Sequence, residues 1–455
     1  MKKKILSLMV TTCMCISVLA GCGATGSSKT TDAKADGKKE IVFWHSMGGK
    51  GGDAINSLVD KFNKENKSNI VVKAQYQGEY DDAINKIKSS KDKSGYPDIM
   101  QLYDLGTRWM IDSKLSTPMQ KFIDDDKYDT SSLEPNLLAY YTVDNKLNSM
   151  PFNSSTPILY YNKNAFKEAG VDPEKAPANF DEIKTYSEKL TKKDGGNVSQ
   201  YGYSMAIYGW FFEQFLAEQL KLYVNNGNGR DSSATSVDFK NNGGGVKILN
   251  AWKSLYDQGL LGNFGRKPAD TQQAFMAGKT AMFIDSTASL SSVLDGVKGK
   301  FEVGTAFLPK INKDDKGGVS IGGASLWILN KDDQEKQKAA FEFIKFMVAP
   351  EQQVYWNEQT GYFPVTTKAY DLQEMKDHLA KTPQFKTAID QLHASPAESK
   401  GALLGVFPEA RQTIETNIEA MLQGKASPED AIDASEKSIN SAIEKYNKAN
   451  KYKVG

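Results

Sequence analysis

Pro151-Phe152-Asn153-Ser154-Ser155-Thr156-Pro157-Ile158-Leu159-Tyr160-Tyr161-Asn162-Lys163 (PFNSSTPILYYNK) ends in a β-type run, Ile158 to Tyr161, and passes directly into a helix beginning at Asn164. The same change of period recurs outward from it and decides the fold class. Toward the N-terminus, Ile41-Val42-Phe43-Trp44 reads as a strand, and Ala54, Ile55, Leu58, Val59 and Phe62 recur at helical spacing. Ile70-Val71-Val72 is a second strand, Ala83, Ile84 and Ile87 mark a second helix, and Pro97 to Leu102 is a buried strand ending in a loop. Alternation of this kind predicts an α/β fold with largely parallel sheets. The C-terminal third reads as helical. Ala339, Phe343, Ile344, Phe346 and Met347 share one helix stopped by Pro350, and Ile414, Ile418 and Met421 share another. Pro428 to Tyr446 forms the last, with Ser427 as N-cap. Asn225 to Asn242 is a polar, Gly-rich loop, and no internal repeat is visible.

The chain has 455 residues, enough for about two domains. Its 57 Lys and Arg balance 56 Asp and Glu, which argues against a nucleic-acid binder. The three histidines, His45, His378 and His393, give a metal site or a Ser-His-Asp triad few parts to use. No G-x-S-x-G, Walker lysine loop or HExxH occurs, so the expectation is no enzyme, no metal and no cofactor.

The N-terminus carries a targeting signal. Lys2, Lys3 and Lys4 precede an apolar run from Ile5 to Ala20, shorter than the roughly 20 residues of a spanning helix. Leu19-Ala20-Gly21-Cys22 resembles the bacterial lipobox, which implies cleavage after residue 21 and lipid on the Cys22 thiol. Cys13 and Cys15 leave with residues 1–21, so the mature chain has no disulfide. Residues 22–39 read as a flexible linker, and the mature protein is expected outside the cytoplasmic membrane, anchored by lipid.

Longer motifs carry a second resemblance. FWHSMGGKGG (43–52), PFNSSTPILYYNK (151–163), IGGASLWIL (321–329), TGYFPVT (360–366), GRK (265–267) and FMAGKTAM (275–282) are similar, in order and spacing, to family 1 extracellular solute-binding proteins of ABC importers. Within that family they look most like the glycerol-3-phosphate-binding members. The resemblance implies a two-lobe periplasmic-binding-protein-like α/β fold (type II), with discontinuous lobes joined by hinge strands around a ligand cleft. The expected lobes are 40–153 with 287–328, and 154–286 with 329–455. The implied partners are a small-molecule ligand and membrane permease subunits, with the receptor itself a monomer.

The resemblance also implies the binding positions. A phosphate wants an Arg fork, hydroxyls and backbone N–H groups; glycerol hydroxyls want a carboxylate and an aromatic face. Tyr80 closes Tyr76-Gln77-Gly78-Glu79-Tyr80 and matches a ligand-contacting Tyr. Asp104 stands where the family typically has Glu; a helix-capping Asp is the plainer alternative. Ser155 and Ser286 match phosphate-binding serines at two crossovers between lobes, and Trp210 matches a Trp that walls the cleft, with a core Trp as the alternative. Gly323 matches a Gly whose backbone approaches the ligand. Tyr362 and Arg411 match the phosphate-contacting Tyr and the cationic anchor, and Pro408 sets Arg411 near a helix start, where amide donors can share an anion.

Three functions follow. One is a receptor for glycerol-3-phosphate or a glycerophosphodiester such as glycerophosphocholine. The second is a carbohydrate receptor of the same family, using Trp44, Trp210, Tyr103 and Tyr208 as stacking faces. The third is a secreted phosphodiester hydrolase, for which no nucleophile–base pair is visible.

Overall fold

Two mixed sheets organise residues 38–90 and 92–452, the residues described by the computed structural model. The signal segment, Cys22 and nearly all of the predicted linker lie outside them. Strand β1 (Lys39–His45) starts two residues before the expected Ile41, because Lys39 already pairs with Ile70. β2 (Ile70–Tyr76), β3 (Ile99–Tyr103), β4 (Ser116–Thr117) and β5 (Met150–Ser155) follow in the first sheet. β6 (Pro157–Asn162), β7 (Tyr203–Ser204), β8 (Leu261–Gly262), β9 (Met282–Ser286) and β10 (Val303–Phe307) form the second, and β11 (Gly322–Leu329) returns to the first. The first sheet runs β2-β1-β3-β11, with β4 and β5 sharing the far edge of β11. The second runs β8-β7-β9-β6-β10.

The sheets are less parallel than the alternating pattern predicts. β1 is parallel to β2 and β3, and β7 is parallel to β8 and β9. β11 is antiparallel to all its neighbours, and β6 is antiparallel to β9 and β10. The antiparallel strands are those that arrive from the other sheet: β6 follows β5 across the single residue Thr156, and β11 comes over from β10. Neither is delivered by the βα crossover that makes neighbours parallel.

Helices cover the sheets with the faces the sequence marks. In α1 (Gly49–Glu65) the five predicted apolar residues are all buried, and so are the three in α2 (Tyr80–Ser89). The helix after β6 spans Lys163–Glu168, with Asn162 Oδ1 accepting the Ala165 N–H at 3.0 Å. α3 (Gly209–Glu218), α4 (Pro268–Met276) and α5 (Leu290–Val297) lie between β7 and β10 in the chain. α6 (Gln334–Met347) ends before Pro350, which also opens α7 (Pro350–Thr360) as a first-turn proline. α8 (Phe407–Leu422) and α9 (Pro428–Ala449) close the chain, α9 with a capping box between Ser427 and Asp430.

Segments including the following two pair with or pack on the sheet other than the one their expected lobe shares. Val303–Phe307, expected with the first lobe, hydrogen-bonds to Ile158–Asn162 of the second sheet. α6, expected with the second, packs on β1 and β11, its Ala340, Phe343, Ile344 and Met347 joining Ile41, Phe43, Leu326 and Ile328 in one apolar core. Partners distant in sequence, Ile158–Asn162 for β10 and Ile41 and Phe43 for α6, decide both. The polar loop after Val224 contains a left-handed turn, Asn226, Gly227 and Asn228, with φ of 54°, 60° and 61°. Asn228 Oδ1 holds it by accepting the Tyr223 and Val224 N–H groups at 2.8 and 3.2 Å.

Candidate ligand-binding site

A cavity of about 830 Å³ opens where the two sheets meet, and Tyr80, Asp104, Ser155, Trp210, Ser286, Gly323, Tyr362 and Arg411 all line it. Strand ends and helix starts bring them there. Asp104 follows β3, Ser155 ends β5, Ser286 ends β9, and Tyr80 and Trp210 begin α2 and α3. α1 adds Gly48 to Gly51, α4 adds Pro268 and Ala269, and the turn before α5 adds Ala288 and Ser289. The cavity is thus ringed by helix N-termini, whose dipoles favour an anion.

On the first-sheet side a polar chain fixes the aromatic face. The Ser46 N–H donates to Gln101 Oε1 at 2.8 Å, and Gln101 Nε2 donates to Asn153 Oδ1 at 2.8 Å. Asn153 Nδ2 then donates to the Tyr80 hydroxyl at 2.8 Å. Tyr80 stacks on Tyr103 with centroids 5.2 Å apart, and the Tyr103 hydroxyl donates to Asp81 at 2.6 Å. Asp104 opens the short 3-10 turn Asp104–Gly106 and is buried. Burial pushes its carboxyl up to about 7; Arg411 pulls against that, and Glu213 adds to it. Gly323 has φ of 93°, and a Cβ there would lie 2.0 Å from the Asn153 carbonyl oxygen. Close approach of β5 therefore demands this glycine, which sits in a strand and not in a turn. At Gly322 a Cβ would meet the Trp210 ring at 2.5 Å, so that glycine makes room for the Trp wall.

On the second-sheet side Arg411 is 6 % exposed and already engaged. Its Nε donates to Glu213 Oε1 at 2.8 Å and its Nη2 to Glu213 Oε2 at 2.7 Å. Nη1 donates to the Tyr208 hydroxyl at 3.3 Å, and Asp104 Oδ2 stands 3.9 Å from Nη2. Burial works against the guanidinium charge, but Glu213 holds it firmly protonated. The fork that the sequence assigns to a phosphate thus faces a carboxylate, leaving the outer N–H bonds for the cavity. Gly209 lets α8 close on α3: a Cβ there would lie 2.6 Å from Arg411 Cγ. The Ser286 hydroxyl accepts the Ala288 N–H at 3.1 Å. Beside it, Asp285 accepts from Ser286 N, Gln272 Nε2 and Ser289 Oγ at 2.7, 2.7 and 3.1 Å, and burial pushes it up to about 6. Trp210 Nε1 is buried with no hydrogen-bond partner among the described residues.

Glu213, Asp285 and Gln272 are among the polar contributors that escape the sequence reading. Asp285 was within reach, since it directly precedes Ser286 at a strand end. Among the described residues no His, Cys, Asp and Glu group could hold a metal ion, and no helix is long and apolar enough to cross a membrane.

Known proteins are similar to this chain in sequence and fold. The family described as "Bacterial extracellular solute-binding protein" matches residues 57–387. The sn-glycerol-3-phosphate-binding periplasmic protein UgpB of Pectobacterium atrosepticum is 33% identical over 426 residues, 92% of this chain and 94% of that protein. UgpB from Mycobacterium tuberculosis, solved with glycerophosphocholine, superposes with a TM-score of 0.76 at 23% identity, covering 90% of this chain and 100% of that one. The GacH receptor of Streptomyces glaucescens, solved unliganded and with acarbose, gives 0.74 at 20% identity, covering 91% and 100%. The two solved structures share the fold, two α/β lobes around a cleft. The chain belongs to the bacterial extracellular solute-binding proteins.

Proposed function

We propose that the protein is the receptor of an ABC importer, capturing glycerol-3-phosphate or a glycerophosphodiester in the cleft and handing it to a membrane permease. The observation that carries this reading is the convergence of Ser155, Ser286, Tyr362 and Arg411 with several helix starts on one cavity. Hydroxyls, amide donors and a guanidinium suit a phosphoryl group, and relatives at about a third identity are named for binding glycerol-3-phosphate. Tyr80, Trp210 and Asp104 take the glycerol end, and the Gly323 backbone lies alongside. The receptor acts outside the membrane as a non-enzymatic monomer, anchored through lipid on Cys22. The lobes follow the sheets: 39–155 with 322–371, and 157–308 with 385–452.

A carbohydrate receptor is the second reading, favoured by the stacked Tyr80 and Tyr103 faces and by the cavity volume. Isothermal titration of residues 23–455 with sn-glycerol 3-phosphate, glycerophosphocholine and maltose separates the two. Heat from either phosphate ester with none from maltose is expected; heat from maltose alone supports the sugar receptor. For the anchor, Cys22→Ala is expected to lose radiolabelled palmitate and leave the membrane fraction; retained label refutes it.

A further inference from the structure

Glu213 belongs to no motif, yet it occupies the fork of the one arginine lining the cavity. The other lining cation, Lys50, pairs with Asp295. At the rim, Arg266 pairs with Glu419, and Lys267 is exposed. Glu79, Asp104 and Asp285 line the same cavity. A phosphoryl group entering it therefore meets hydroxyls, helix starts and the spare N–H bonds of a neutralised arginine, but no buried uncommitted cation among the described lining residues: Lys50 holds a solvent-exposed ion pair, and Lys267 is an exposed cation at the rim. A phosphomonoester above its second pKa of about 6 carries close to two charges; a phosphodiester carries one. The second charge has no buried cationic counterpart here and faces Glu79, Asp104 and Asp285 besides Glu213.

We propose that Glu213 is a positioning residue and charge filter: by claiming the Arg411 fork it sets the cleft for singly charged glycerophosphodiesters over the doubly charged monoester. The proposal rests on the reading of the cleft as a glycerophosphate site. The groups facing Glu213 are Arg411 and Glu415 from α8, Asp104 across the cleft, and Tyr208. Behind it a space of about 20 Å³ is lined by Tyr140, Lys221, Tyr223 and Lys400. All of these are common to both ligands, but Asp104 and Asp285 also titrate within this range, so the ratio of the two dissociation constants is compared between wild type and variant at pH 8, where both carboxyls are mostly ionised.

The test titrates sn-glycerol 3-phosphate and sn-glycero-3-phosphoglycerol, a diester without a cationic head group, into the wild type, Glu213→Gln and Glu213→Asp between pH 5 and 8. Expected in the wild type is tighter binding of the diester at pH 8, with a ratio that narrows as the monoester gains its proton near pH 6. Glu213→Gln should narrow the pH 8 ratio by about tenfold, the scale of one close charge contact. Glu213→Asp, which keeps the charge, should restore the wild-type ratio. A merely structural Glu213 would weaken both ligands alike and leave the ratio unchanged. A Glu213→Gln ratio within about twofold of wild type (some 0.4 kcal/mol) overturns the proposal while the glycerophosphate reading stands. A wild type that prefers the monoester at pH 8 overturns it too, and this arm holds even where Glu213→Gln does not fold. Binding of neither ligand by the wild type overturns both.

Discussion

The two walls of the cleft are built on different principles. The first-sheet wall is pre-arranged by its own sheet: Ser46, Gln101, Asn153 and Tyr80 form one hydrogen-bonded chain, and Tyr80 leans on Tyr103. The members of that chain are neutral, burial raises the Asp104 carboxyl to about 7, and the other charged groups of this wall, Lys50 and Glu79, are exposed. The second-sheet wall is an ion pair between helices, Glu213 of α3 and Arg411 of α8, 198 residues apart in sequence. The first wall offers shape and hydroxyls, and the second offers charge that has already been balanced. The proposed recognition of a phosphate would thus depend less on raw positive charge than on directed N–H and O–H donors, the arrangement that helix starts supply.

If the walls differ in this way, perturbing the ion pair should have the largest effect. Arg411→Ala removes the only lining guanidinium and strands Glu213, so we expect affinity to fall by about 2–5 kcal/mol and stability to fall as well. Arg411→Lys should recover only part, because a point charge cannot hold the planar fork. The double variant Arg411→Met/Glu213→Gln should regain stability without regaining affinity. Calorimetry and chemical denaturation on the same samples check both; wild-type affinity in Arg411→Ala removes Arg411 from the site.

On the first wall the largest effect should come from backbone. Gly323→Ala places a Cβ against the Asn153 carbonyl at positive φ, and we expect a stability loss of about 3 kcal/mol from strain and overpacking. An unchanged melting temperature would mean that β5 and β11 give way easily.

Asp104 gives a sign. Its folded value of about 7 exceeds the ordinary 3.8, so between those limits the folded chain holds a proton that the unfolded chain has lost. The group's contribution to stability is therefore most favourable at acid pH and declines as pH rises toward about 7. Asp104→Asn removes that decline, so its stability relative to wild type should grow from pH 4.5 to pH 8. A pH-independent difference by denaturant titration contradicts this. Smallest of all, Asp104→Glu should move the ratio of monoester to diester affinity by less than about tenfold, or 1.4 kcal/mol. A ratio constant within twofold means Asp104 does not set ligand size.

What was legible in the sequence follows the range of the interaction concerned. The α1 and α2 faces, the Ser427 cap and the β6 run are local, and their spacing alone marks them. Ser155 stands at a strand end within a contiguous motif and Ser286 at the end of the strand that follows FMAGKTAM, so their arrival in the cavity could be expected. Glu213 could not be assigned, because an acid on a helix ordinarily reads as a solvated face and its partner lies in the last fifth of the chain. One signal was present: a charge inside Trp210-Phe211-Phe212 to Phe215-Leu216, where every large apolar side chain is buried. The sheets joined by β10 and α6 were illegible for the same reason, since neither segment's own pattern names its partner.

The central claim is that this cleft holds a glycerophosphate group between the two walls. A crystal structure of residues 23–455 with bound sn-glycero-3-phosphoglycerol tests it most directly. The account predicts the phosphorus within hydrogen-bonding reach of the Ser155, Ser286 and Tyr362 hydroxyls and an outer Arg411 N–H, with Glu213 still on the fork and the glycerol hydroxyls against Asp104 and Tyr80. A phosphate seated elsewhere, or one that displaces Glu213 from the Arg411 fork, would contradict it.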